Sequence, residues 1–234
     1  MPNLTTILNG SKQMVSCMNK ETAVRAVLFD YDGTLRDTKH VILGALKAAL
    51  EHHGATMPST EELTPHLHHS SFVRQAFLPD VSAEEFEKVY YQTKDILSED
   101  VTLFEGTAEM LKNVRANGYA VGLVTAAKKS MLQFEQLGLQ DSVFDVIIGA
   151  EDLTEHKPHP QGILMAVKTL GVSLRETVYV GDMPTDYAAA VAAGVEFVGA
   201  AYGFFDEKTL RAEGAEHIIH TPRELPALLA NIRS

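Results

Sequence analysis

From residue 103 onward, short apolar runs alternate with amphipathic stretches that stop on glycine. Residues 109–117 read as a helix closed by Gly118, 120–124 as a strand, and 130–137 as a helix closed by Gly138. A strand over 143–148 follows, then a helix over 160–170 closed by Gly171 and a strand over 177–180. A helix over 185–193 closed by Gly194, a strand over 196–200 and a last helix over 224–232 complete the series. Glycine just past the last periodic residue is the usual helix stop. Strand and helix alternating through short joins predict a right-handed, Rossmann-like doubly wound parallel sheet of the α/β class. Residues 23–29, apolar apart from Arg25, add one more strand, of the kind buried on both faces.

Between that strand and residue 103 the rhythm is different. Val41, Leu43, Ala45, Leu46, Ala49 and Leu50 recur at helical spacing, with Gly54 and Pro58 behind them. Ser59-Thr60-Glu61-Glu62 and Ser82-Ala83-Glu84-Glu85 read as helix starts, the second with capping-box spacing. No strand run interrupts this stretch, so residues 38–103 are expected to form an inserted all-α unit. The core is expected over 22–37 and 104–234, and residues 1–21 as a polar extension.

Asp and Glu number 31 against 20 Lys and Arg, for a net charge of −11. Such an acidic balance speaks against a nucleic-acid partner and against adhesion to anionic membranes. The single cysteine, Cys17, has no partner for a disulfide within the chain. No apolar run reaches transmembrane length, and residues 1–21 lack the pattern of a signal peptide. A cytoplasmic location is the simplest expectation.

In open α/β sheets, ligands sit beyond the carboxyl ends of the strands. The loops after Phe29, Val124, Ile148 and Val180 are therefore where chemistry belongs. The first holds Asp30-Tyr31-Asp32-Gly33-Thr34-Leu35. Carboxylates at i and i+2 project to one side of an extended chain, and Gly33 permits a sharp turn behind them. Two adjacent buried anions repel, and a divalent cation relieves that repulsion. Mg²⁺ suits one or two carboxylates together with a substrate phosphate. The plain alternative is a solvated turn. The second loop, Thr125-Ala126-Ala127-Lys128, offers a hydroxyl and backbone N–H groups to a phosphate oxygen, although a threonine there also serves as a simple helix cap. Lys157, in Glu155-His156-Lys157-Pro158-His159-Pro160, can offset anionic charge or stand exposed at the surface. After Val180 comes Gly181-Asp182-Met183-Pro184-Thr185-Asp186, in which Asp182 ends a buried strand and Asp186 lies in the first turn of a helix. Helix capping explains Asp186 well and Asp182 less well.

Taken together and in this order, these motifs resemble the haloacid dehalogenase-like hydrolase superfamily, most closely its phosphoglycolate phosphatase-like branch, over about residues 22–234. The resemblance implies a phosphatase acting on a small phosphorylated metabolite, as a monomer or homodimer. Asp30 would attack phosphorus and form an aspartyl-phosphate. Asp32 would protonate the leaving oxygen and then activate water. Asp30, the backbone carbonyl of Asp32, and Asp182 would bind Mg²⁺, with Asp186 steadying the metal from beside it. Gly33, Thr125, Ala126 and Lys157 would hold the phosphoryl group. The joins near 36–38 and 98–105 would be hinges, and the inserted unit a helical cap that excludes water and sets specificity. A sugar phosphomutase, a pyrophosphatase and a catalytically silent phosphate-binding module are the alternatives on the same scaffold.

Several positions depart from the usual pattern. Ala126 and Ala127 stand where many relatives carry side-chain donors, and His68 where a cap glycine is usual. His66, His68 and His69 raise the question of zinc, but three histidines on one loop rarely converge without a fourth ligand. His52 and His53 fit a helix C-terminus. His156 and His159 flank Lys157, and Cys17 has no chemical motif around it.

Overall fold

The computed structural model describes residues 23–67 and 70–232. The expected N-terminal extension, Cys17, His68 and His69 fall outside these residues.

Six strands form one parallel sheet: β1 Ala26–Phe29, β2 Ala120–Val124, β3 Val146–Ile148, β4 Thr177–Gly181, β5 Glu196–Ala200 and β6 His217–Ile219. Their order is β3-β2-β1-β4-β5-β6, which places β1 in the interior. Phe29 is level with Leu123 on one side and Val180 on the other. That register brings Asp30, Thr125 and Asp182 out at one edge of the sheet. Successive strand side chains point to opposite faces. Val27 and Phe29 pack on one layer with Met110, Leu111, Val114 and Leu229. Leu28 and Tyr179 pack on the other with Ile163, Ala166, Ala189 and Ala190.

Between β1 and Leu103 the described residues form four α-helices: α1 Lys39–His52, α2 Thr60–Leu63, α3 Ser70–Phe77 and α4 Ala83–Leu97. They enclose a cluster of their own around Leu46, Leu50, Leu63, Val73 and Phe86. Ser59 with Glu62 and Ser82 with Glu85 form complete capping boxes, as the spacing predicts for the second. The segments joining this unit to the sheet run side by side. Arg36 bridges Leu103 in antiparallel fashion, and the Asp37 amide donates to the Thr102 carbonyl at 2.9 Å.

The remaining helices are α5 Thr107–Ala116, α6 Gln161–Leu170, α7 Pro184–Ala193, α8 Glu207–Glu213 and α9 Leu225–Leu229. The strand expected over 143–148 is shortened to Val146–Ile148 behind a 3-10 turn over Asp141–Val143, and other sequence expectations also need correction. Residues 130–137 are not an α-helix: a 3-10 turn covers Lys129–Met131, and Gln133 has φ 50°. The hydroxyl of Tyr31 captures the Leu132 carbonyl, and Arg36 bonds the Gln133 side chain at 3.3 Å. A left-handed residue and a diverted carbonyl stop the helical ladder. The last helix is also shorter than expected: a 3-10 turn covers Pro222–Glu224 before it, and the α-helix ends at Leu229. Finally, α8 and β6 went unrecognised: three strand residues are too few to show a period.

Candidate active site

Asp30 follows β1 directly, and its amide still donates to Val180 O at 2.9 Å. The chain then turns sharply, with Gly33 N donating to Arg36 O at 2.9 Å. Gly33 has φ 84°, and a Cβ there would lie 2.2 Å from Asp182 Oδ2. Both its conformation and its lack of a side chain are thus required. Gly203 presses on the same carboxylate from the loop after β5. A Cβ on it would fall 2.3 Å from Gly33 O and 2.6 Å from Asp182 Oδ2.

Lys157 stands at the centre of the acidic groups. Its Nζ lies 2.6 Å from Asp30 Oδ1, 2.7 Å from Asp186 Oδ1 and 3.1 Å from the Tyr179 hydroxyl. Asp30, Asp182 and Asp186 are all buried, with carboxylate oxygens within 4.8 Å of one another. Asp182 is fixed at both oxygens: Thr34 Oγ1 donates to Oδ1 and Phe204 N to Oδ2, each at 2.8 Å. Asp186 is more fully engaged. Its Oδ2 accepts from the amides of Asp182 at 3.2 Å and Met183 at 3.0 Å. Its Oδ1 accepts from Lys157 and from Tyr179, the latter at 3.2 Å. A carboxylate with two donors on each oxygen acts as a brace for its neighbours.

The electrostatics follow from this crowding. Burial pushes the Asp30 carboxyl up to about 7 against the pull of Lys157, and the nearby Asp186 charge adds to the rise. Burial and the charges of Asp186 and Asp30 raise Asp182 well above the usual carboxylate range. Burial works against the charged form of Lys157, but Asp186 and Asp30 outweigh it and hold the ammonium firmly protonated. One cation among three carboxylates leaves the cluster short of positive charge, and oxygen donors this close are the set a hard divalent cation prefers.

Asp32 is placed differently from the other acids. Its carboxylate turns to Arg36, whose Nε donates to Oδ1 at 2.8 Å. Burial favours its neutral form, but Arg36 and then Lys94 hold it below the ordinary range. Arg36 is itself buried and lies over the Tyr31 ring at 4.3 Å. Thr125 is buried after β2, and its Oγ1 accepts from Ala127 N at 3.0 Å. Thr125 and Ala126 line a cavity of about 1090 Å³ together with Asp30, Asp32 and Lys157. Its other wall comes from α1, α3 and α4, including Ile42, Phe72, Tyr90 and Lys94.

The structure thus gathers Asp30, Gly33, Lys157, Asp182 and Asp186, and sets Asp32, Thr125 and Ala126 on the adjoining cavity. Sequence reasoning overlooked Tyr179, Arg36 and Gly203. Of the histidines, His156 borders the cavity, His159 is exposed, and His66 packs edge-on against Phe77.

Residues 27–200 match the family model described as haloacid dehalogenase-like hydrolase. A phosphoglycolate phosphatase of Xanthomonas campestris pv. campestris is 34% identical over 195 residues, covering 77% of this chain and 84% of the relative. The pyrophosphatase PpaX of Bacillus pumilus is 28% identical over 214 residues, covering 89% and 98%. A Bacteroides fragilis protein, provisionally described as a haloacid dehalogenase-like hydrolase, superposes with a TM-score of 0.75 at 30% identity, over 86% of this chain and 99% of its own. A hydrolase of Pseudomonas syringae shares the fold with a TM-score of 0.78 at 23% identity, over 90% and 100%.

Proposed function

Because the chain belongs to the haloacid dehalogenase-like hydrolase family, we propose that it is a Mg²⁺-dependent phosphatase that cleaves a small phosphate monoester through an aspartyl-phosphate on Asp30. The observation that carries this reading is the 2.6 Å contact between Lys157 and Asp30 at the floor of a cavity, inside a cluster of three buried carboxylates.

Asp30, the Asp32 carbonyl and Asp182 would hold the cation, with Asp186 bracing Lys157 and the loop amides. When bound, the cation supplies positive charge that lets an anionic carboxylate approach an anionic phosphate. The chain's own groups do the rest. An oxygen of Asp30 bonds to phosphorus as the bond to the leaving oxygen breaks. Lys157 balances charge on Asp30 and on the phosphoryl oxygens. Thr125 orients the phosphoryl group, its proton free to point outward while its oxygen accepts from Ala127. Asp32 gives a proton to the leaving oxygen, then takes one from the water that attacks phosphorus, releasing Asp30 and inorganic phosphate. The Arg36 contact holds Asp32 in its basic form at rest, so Asp32 must turn from Arg36 and gain a proton for the first half. The helical unit over residues 38–103 acts as a cap whose closure excludes bulk water.

The test is phosphate release with purified protein and Mg²⁺ across a panel containing phosphoglycolate, pyrophosphate and an aryl phosphate. Release that chelation abolishes and Mg²⁺ restores supports the reading. No release from any member, or full activity in Asp30→Asn, contradicts it.

A further inference from the structure

Asp30 and Asp32 fix two directions in the cavity. The transferring phosphoryl group lies toward Thr125 and Lys157, and the departing oxygen faces Asp32. Whatever the leaving group carries therefore extends past Asp32 to the wall built by the helical unit. On that wall α4 presents Glu87, Tyr90, Tyr91 and Lys94, spaced as one helical face. Lys94 and Tyr90 line the same cavity as Asp32.

Lys94 is half-buried, and its ammonium forms no ion pair among the described residues. Of the other lysines on the cavity, Lys157 is fully engaged, and Lys128 is exposed to solvent and so already hydrated. A partly desolvated ammonium facing a cavity gains from an anion. The chemistry around it narrows the choice. Ile42 and Leu46 also line the cavity and offer apolar contact to a short carbon chain. Glu87 sits two turns back on the same face, about 10 Å along the axis, and repels an anion at that end. Asp95 also borders the cavity, but residues adjacent in a helix do not face each other.

We propose that Lys94 is a specificity-determining residue that reads a second anionic group, carboxylate or phosphate, on a short leaving group. This inference rests on the assignment of Asp30 and Asp32 above.

The experiment compares short alkyl phosphate monoesters of equal length ending in carboxylate, phosphate, hydroxyl or ammonium, using the full chain with Mg²⁺. Wild type is expected to favour an anionic terminus over hydroxyl by about tenfold or more in kcat/KM, carried by KM. The carboxylate and phosphate arms show which anion is read. Lys94→Met should collapse that ratio, Lys94→Glu should shift preference toward ammonium, and Lys88→Met, exposed elsewhere on α4, should keep it. A wild-type ratio in Lys94→Met, or a wild-type preference for the hydroxyl ester, overturns the inference. If wild type hydrolyses no ester, the assignment of Asp30 and Asp32 has failed instead. Calorimetry with the matching phosphonates then decides the role of Lys94: weaker binding of the anionic-ended phosphonate in Lys94→Met supports it, and unchanged binding overturns it.

Discussion

Lys157 Nζ lies 2.6 Å from Asp30 Oδ1, a cation contributed by the loop after β3 meeting a carboxylate at the end of β1. The side chains are 13% and 7% exposed, and the same ammonium also reaches Asp186, which is 1% exposed. Removing one partner of such a buried set leaves uncompensated charge.

Lys157→Met is therefore expected to lose nearly all activity and about 3 kcal/mol of stability at pH 8, read from urea unfolding of metal-free protein. The stability loss should shrink at pH 6, below the value of about 7 to which the Asp30 carboxyl is raised. A loss independent of pH would mean that the lysine mainly fills space.

Stability of the metal-free protein should fall as pH rises from about 4 to about 7. The sign follows from Asp30: its folded value of about 7 stands above the unfolded 3.8, so the native state binds more protons in this window. Stability present below the unfolded value is lost as pH climbs through the folded one, and the raised Asp182 acts in the same direction. Mg²⁺ competes with those protons, so its stabilisation should grow over the same range and its binding should release protons. Thermal melts with and without Mg²⁺ at pH 5, 6, 7 and 8 test this. A metal-free melting temperature that rises steadily from pH 5 to 8 would count against it.

Tyr179 is buried in β4, and its hydroxyl contacts Lys157, Asp186 and the Val124 carbonyl. Tyr179→Phe removes one link between the lysine and its brace. Its expected cost is about 1 kcal/mol in stability and about tenfold in kcat, with KM little changed. A raised KM at constant kcat would show that the tyrosine serves substrate binding instead.

Gly203→Ala would drive a Cβ to 2.3 Å from Gly33 O and 2.5 Å from Asp182 Cβ. Such overpacking costs about 1–3 kcal/mol. Because the displaced atoms belong to the acid cluster, Mg²⁺ affinity should fall at least tenfold, measured by calorimetry. Unchanged affinity in the folded variant would separate Gly203 from the cation site.

The sequence made the strand-end residues visible because each closes an apolar run: Asp30 after β1, Thr125 after β2 and Asp182 after β4. Parallel register then carries them to one edge. Tyr179 escaped notice because a tyrosine inside an apolar strand reads as core, and its polar partners come from β2, the loop after β3 and the first turn of α7. Gly203 sits in no motif, and its importance is set by two backbone segments that meet in space. The helix expected over 130–137 failed for a similar reason: Tyr31, 101 positions before Leu132, takes that residue's carbonyl. Local spacing reports local preference, and long-range contacts override it.

Covalent chemistry at Asp30 is tested most directly by trapping. The protein is mixed with Mg²⁺ and a hydrolysed ester, quenched in acid during turnover and reduced with borohydride, which converts an aspartyl-phosphate to homoserine. Peptide mass spectrometry should find homoserine at position 30, dependent on substrate and Mg²⁺. Homoserine at another aspartate, together with an unmodified Asp30, would contradict the mechanism.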